Sequence, residues 1–134
     1  MDAMEISASA LTAERTRMNQ ISSNLANANS TRTAEGGPYK RKDAVFATML
    51  ESVSGKMGGN GVEVVAVVED QSEPRLQYEP GHPDARPDGY VAYPNVNVVE
   101  EMADIISATR TYEANVTALK AGMDMQMKAL SISK

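Results

Sequence analysis

The chain has 134 residues, 42% apolar but only 4% aromatic, with one Phe and no Trp, so it suits one small domain around a thin core. A formal net charge of −5 argues against nucleic acid as a partner, and the absence of cysteine excludes disulfides, thiol catalysis and thiolate metal sites. No stretch is long and apolar enough to span a membrane, and MDAMEISASALTAERTRMNQ lacks the basic start and apolar run of a secretory signal.

Punctuation residues divide the chain. All six prolines and eight of the nine glycines lie between residues 29 and 97. This predicts helical ends, 1–28 and 98–134, around a small, irregular, β-rich middle at 29–97. The expected class is α+β, with the terminal helices pairing as a coiled-coil-like hairpin.

The first helix is expected over about residues 3–27. Met4, Leu11, Met18 and Leu25 recur every seven residues, Ala8 and Ile21 widen the stripe, and Glu14 and Arg15 interrupt it. It ends in ISSNLANANST, where Asn24, Asn27, Asn29 and Ser30 supply amides and a hydroxyl with nothing to react with. Two strands are expected next, within YKRKDAVFATML (39–50) and GVEVVAVVED (61–70), joined by a Gly-rich tip, KMGGNG. Leu76–Tyr78 and Tyr90–Tyr93 are two shorter strand candidates. Between them, Pro80, Pro83 and Pro87 fix φ in a turn-rich loop.

The second helix starts at Val98 behind Asn97, a good N-cap, with Glu100 placed as in a capping box. Steps of four and three from Val98 reach Met102, Ile105, Thr109, Tyr112, Val116, Leu119, Met123, Gln126 and Leu130, a heptad-type stripe. Gly122 is its one weak point.

Groups able to do chemistry do not converge. His82 stands alone in a polar loop, and Asp84 and Asp88 lack the spacing of a calcium loop. There is no G-x-S-x-G, and GKMGGNG has the wrong order for a phosphate loop. Adjacent Glu100 and Glu101 are explained by capping and solvation, and Lys40, Arg41 and Lys42 by a solvated strand edge, with contact to an acidic partner as the sharper reading. No enzyme, cofactor, metal or small-molecule substrate is expected. Tyr78, Tyr90 and Tyr93 are the only candidates for an aromatic platform, on which an alternative rests: a β-domain binding module for cell wall or a wall hydrolase.

What remains is surface. Ile6 and Ile21 on the first helix, and Val99, Ile106, Met125 and Met127 on the second, are expected outside a mutual helix seam. Either they cover the small β region or other chains cover them. Seven of the nine methionines lie in the terminal segments, and methionine adapts to non-identical surroundings.

These end segments resemble the axial proteins of the bacterial flagellum, the rod and hook family. Ser23, Asn24, Ala26 and Asn27 match its N-terminal signature, S-x-N-x-A-N. Val99, Glu100, Glu101, Met102, Ile106, Arg110, Tyr112, Glu113 and Asn115 match its C-terminal one. YEPGHPDARPDGYVAYPNVN is similar to a segment peculiar to one proximal rod branch; another small axial rod component is the in-class alternative. Departures are Glu79 for Asp, Ala34 for Pro in T-x-x-G-G-P-Y, and lysines at 40 and 42 where Arg is frequent.

The resemblance implies a structural, self-associating subunit of the periplasm-spanning basal-body rod, a drive shaft that transmits motor torque. It implies export through the flagellar type III apparatus without a cleaved signal. The implied partners are copies of the chain, other proximal rod proteins, the ring-to-rod junction protein and the distal rod. Subunit contacts are then expected at Met4, Leu11, Met18, Ile21, Asn24, Leu25 and Asn27, and at Val98, Met102, Ile105, Ile106, Tyr112, Val116, Leu119, Met123, Met127 and Leu130. The asparagines, costly if buried unpaired, are expected to find their partners on adjacent chains.

Overall fold

A computed structural model of the chain describes residues 3–49 and 60–133. Two long helices, α1 (Ala3–Ala26) and α2 (Val98–Ile132), flank four strands, β1 (Lys42–Thr48), β2 (Val62–Glu69), β3 (Arg75–Tyr78) and β4 (Tyr90–Tyr93). The class is α+β. Most of the Gly-rich tip expected between the first two strands lies outside the described residues; Asn60 and Gly61 lead into β2.

α1 contains no Gly or Pro, so nothing interrupts its 24 residues, about 36 Å. Its end is polar by construction: Asn27 Nδ2 donates to the Ser23 carbonyl at 2.8 Å, and Ser30 Oγ donates to Asn27 Oδ1 at 3.1 Å. The Ser23 carbonyl also accepts from the Asn27 amide at 3.0 Å, so the Asn27 side chain doubles the last helical bond and Ser30 ties the following turn to it. α2 is 35 residues, about 52 Å. Its cap is the expected one, Asn97 Oδ1 accepting from the Val99 and Glu100 amides at 3.1 and 3.3 Å.

The helices are antiparallel. Asn24 lies against Glu101, and Met4 lies against Gly122, where an added Cβ would stand 2.9 Å from Met4 Cγ. The seam on α2 runs through Glu101, Ile105, Ala108, Tyr112, Asn115, Leu119 and Gly122, alternating steps of four and three, with Glu101 and Ala108 fully buried. This line is displaced by about one residue from the stripe expected from Val98. Small residues explain the shift: Ala108 and Gly122 let the backbones approach, so the seam centres on them and the larger Val98, Met102, Met123 and Leu130 turn outward. On α1 the corresponding line is Ser7, Glu14, Ile21 and Ala28, all buried and seven apart. Ile21, expected outside the seam, is 4% exposed and inside it. Met4, Leu11, Met18 and Leu25 flank the line, half-buried.

β1 and β2 form an antiparallel ribbon, paired from Lys42 with Glu69 to Thr48 with Val62, with a bulge at Val45/Phe46. The ribbon lies along α1 and does not reach α2. Its base is held at Asn24, and farther along Ser9 Oγ accepts from the Val62 amide at 3.0 Å. α1 is therefore the middle layer, with the ribbon on one side and α2 on the other. β3 and β4 form a second antiparallel ribbon, Arg75 opposite Tyr93 and Tyr78 opposite Tyr90, with Val91 fully buried. Gly89 has φ +86°, and a Cβ there would stand 2.6 Å from Tyr78 Cε2, so glycine is required at the start of β4.

Candidate assembly site: a polar junction and an open helix face

Lys40 and Glu100 are exposed as expected, but one cluster corrects the solvated reading for Arg41 and Glu101 and gives the basic stretch its acidic contact. Glu101 is 1% exposed and accepts from Arg41 Nε and from Asn24 Nδ2. The two residues are 60 apart in sequence, and the chain folds back so that the loop before β1 crosses the first turn of α2. Arg41 also meets Asp43, Asp70 at 3.8 Å and Asp104 at 3.9 Å, and its amide donates to Asn95 Oδ1 at 2.8 Å. Burial disfavours the Arg41 charge, but hydrogen bonds to Asp43 and Glu101 outweigh it, and its pKa lies above the ordinary arginine value. A buried carboxylate so paired is stable only while its partner stays.

Asn24 is the other centre. Its Oδ1 accepts from the Lys42 amide at 3.1 Å and from Tyr39 Oη at 2.8 Å; its Nδ2 donates to the Lys42 carbonyl at 2.9 Å and to Glu101 Oε2 at 3.4 Å. Every donor and acceptor of the amide is used. The partners expected on adjacent chains are thus supplied within this chain, for Asn24 and, through Ser23 and Ser30, for Asn27. Asn24 reproduces a strand's pairing with Lys42, which joins the end of α1 to the start of β1.

A second latch holds the proline-rich loop. Asp84 accepts from Thr31 Oγ1 at 2.8 Å and from Arg32 Nε at 2.9 Å, docking residues 79–89 on the turn after α1. The Thr31 and Arg32 hydrogen bonds hold the Asp84 carboxyl below its usual range. The three tyrosines do not make one platform. Tyr78 and Tyr90 pack edge to face at 5.3 Å, while Tyr93 donates to Glu79 and lies under Arg75. Among the described residues no group of three or more His, Cys, Asp or Glu is placed to hold a metal ion.

The remaining predicted positions separate into two sets. Ile21 and Asn24 are buried, and Met4, Leu11, Met18, Leu25, Asn27, Ile105, Tyr112, Val116 and Leu119 are half-buried within the chain. Val98, Met102, Ile106, Met123, Met127 and Leu130 are exposed, on the back of α2 or beyond Gly122, where α2 runs on past the described residues of α1.

Residues 4–32 match the family of flagella basal body rod proteins, and residues 88–132 match the C-terminal family of flagellar basal body rod FlgEFG proteins. The flagellar basal-body rod protein FlgC of Bacillus subtilis is 47% identical over 98% of this chain and 96% of its own length. That of Salmonella typhimurium is 41% identical over 100% and 98%, and that of Borreliella burgdorferi 40% over 96% and 94%. The chain belongs to the FlgC family of flagellar basal-body rod proteins. As a FlgC-family chain it is a structural subunit of the flagellar basal body. The N-terminal match ends at Arg32, so Asn24 and the Thr31–Arg32 latch lie inside it. The C-terminal match begins at Asp88 and includes Glu101. Arg41, which joins the two matched ends, lies in neither. No local sequence signal marks Arg41 as different from Lys40 or Lys42.

Proposed function

We propose that the chain is a subunit of the proximal rod, binding copies of itself and related rod chains through the back and overhang of α2, and carrying torque along the shaft. Neighbouring sets of partners are the other proximal rod proteins, the ring-to-rod junction protein and the distal rod. The chain reaches them by flagellar type III export, without a cleaved signal. No helix among the described residues is long and apolar enough to cross a membrane, which agrees with such a route.

One observation carries this reading. A compact monomer of this mass would expose about 6,800 Å²; this chain exposes 9213 Å². Large apolar side chains stand open along α2, where Val99 is 75%, Ile106 56% and Ile132 84% exposed. Such surface on a structural subunit is interface waiting for another chain.

The test is Met102→Glu with Ile106→Glu, on the exposed back of α2. Circular dichroism and unfolding should match the native chain, since neither side chain serves the internal seam. Basal bodies isolated from cells carrying the variant should lack assembled rods, and the cells should not swim. Normal rods and swimming would overturn the proposal.

A further inference from the structure

With nine methionines, no cysteine and no tryptophan, the chain directs two-electron oxidants to thioether sulfur. Its methionines are unequally placed. Met4, Met18 and Met49 are half-buried, and Met102 is 54% exposed on the back of α2. Met123, Met125 and Met127 are 49%, 71% and 67% exposed. These three fall within five residues, all past Gly122, the position that faces Met4 near the first described residue of α1. Met123 and Met127, four apart, share one face, and Met125 points away from them. Two opposite sides of the overhang therefore present sulfur, amid Leu130 and Ile132, which are 67% and 84% exposed.

We propose that Met123, Met125 and Met127 form a clustered site of oxidative modification, and that sulfoxide formation there blocks the chain's assembly. The oxidant is a peroxide. The sulfur lone pair attacks one peroxide oxygen, the O–O bond breaks, an S=O bond forms, and hydrogen peroxide leaves as water. The thioether gives up two electrons and the peroxide accepts them. The product is polar and chiral, so an apolar overhang becomes a polar one. The helix survives, because all three side chains lie on exposed positions of α2. The consequence for assembly rests on the reading that the overhang is buried between chains; the site itself rests on three exposed sulfurs clustered within five residues.

Limited hydrogen peroxide on the purified full-length chain, followed by trypsin and mass mapping, tests the site. The peptide 121–128 holds all three methionines. It should gain oxygen several-fold faster per methionine than the peptides carrying Met4 and Met18, and prior denaturation should even the rates. Equal rates in the native chain overturn the site. The consequence is tested in cells with Met123→Gln, Met125→Gln and Met127→Gln together, beside the same three positions changed to Leu. The Leu chain should assemble rods as the native one does, and the Gln chain about tenfold fewer. Equal assembly by the two, whether both high or both low, overturns it. Cells that lack the chain altogether serve as the control: should they swim, the rod reading fails, and the mass map still decides the site.

Discussion

Glu14 sits in the helix seam, 7% exposed, with no hydrogen-bond partner for Oε2 among the described residues and Arg17 3.6 Å away. A buried acceptor so placed costs more than its loose ion pair returns. Glu14→Leu should therefore stabilise the isolated chain by about 1 kcal/mol, raising its thermal midpoint by about 3 °C. Calorimetry of the two proteins checks this. Asn24 is the opposite case, with its amide fully used. Asn24→Ala strands the Lys42 backbone and Tyr39 Oη, a loss of about 2 kcal/mol. Asn24→Asp keeps the shape but turns a carboxylate toward the Lys42 carbonyl and Glu101. It should cost about 3 kcal/mol or more at neutral pH, and urea unfolding should rank the two variants in that order. If Ala proves the worse, packing and not the hydrogen-bond pattern governs the position.

Among elements, the loop 79–89 has the simplest pH response. Its latch is the Asp84 carboxylate, whose folded pKa is depressed by Thr31 and Arg32. The stabilisation is complete above the unfolded carboxylate value and disappears as the pH falls through the lower folded one. Hydrogen exchange at His82–Gly89 should accelerate in acid, below about pH 4, before the helices respond, and Asp84→Asn should remove that dependence. The elements themselves are legible in the sequence, because apolar spacing, the Asn97 cap and the confinement of Pro and Gly are local signals. The lateral position of the seam is not. A stripe drawn through large apolar residues misses Ala108 and Gly122, whose role is to be small, and it leaves out Glu101, whose burial depends on Arg41. Pairing over 60 residues leaves no mark in either neighbourhood, so arginine and glutamate both resemble ordinary solvated charges. The asparagines carried the right chemistry for the wrong partner, since nothing in ISSNLANANST names the Lys42 backbone.

At the scale of the whole molecule, one layer of contacts on each side of α1 must order a 52 Å helix whose back is bare. Protection from hydrogen exchange in dilute monomer should follow that layering. It should be highest over 101–119, where α1 covers α2, and near the unprotected rate over 123–132. Strong, even protection throughout 98–132 would show that the free chain needs no neighbours to hold its end. The same layering fixes how load moves. The ribbon of β1 and β2 touches the helix pair along α1, and the loop before β1 meets α2 through Arg41, which pairs with Glu101 and stands 3.9 Å from Asp104. Twist applied to α2 thus has two routes to the outer ribbon, the packed seam along α1 and the Arg41 grip at the foot of α2.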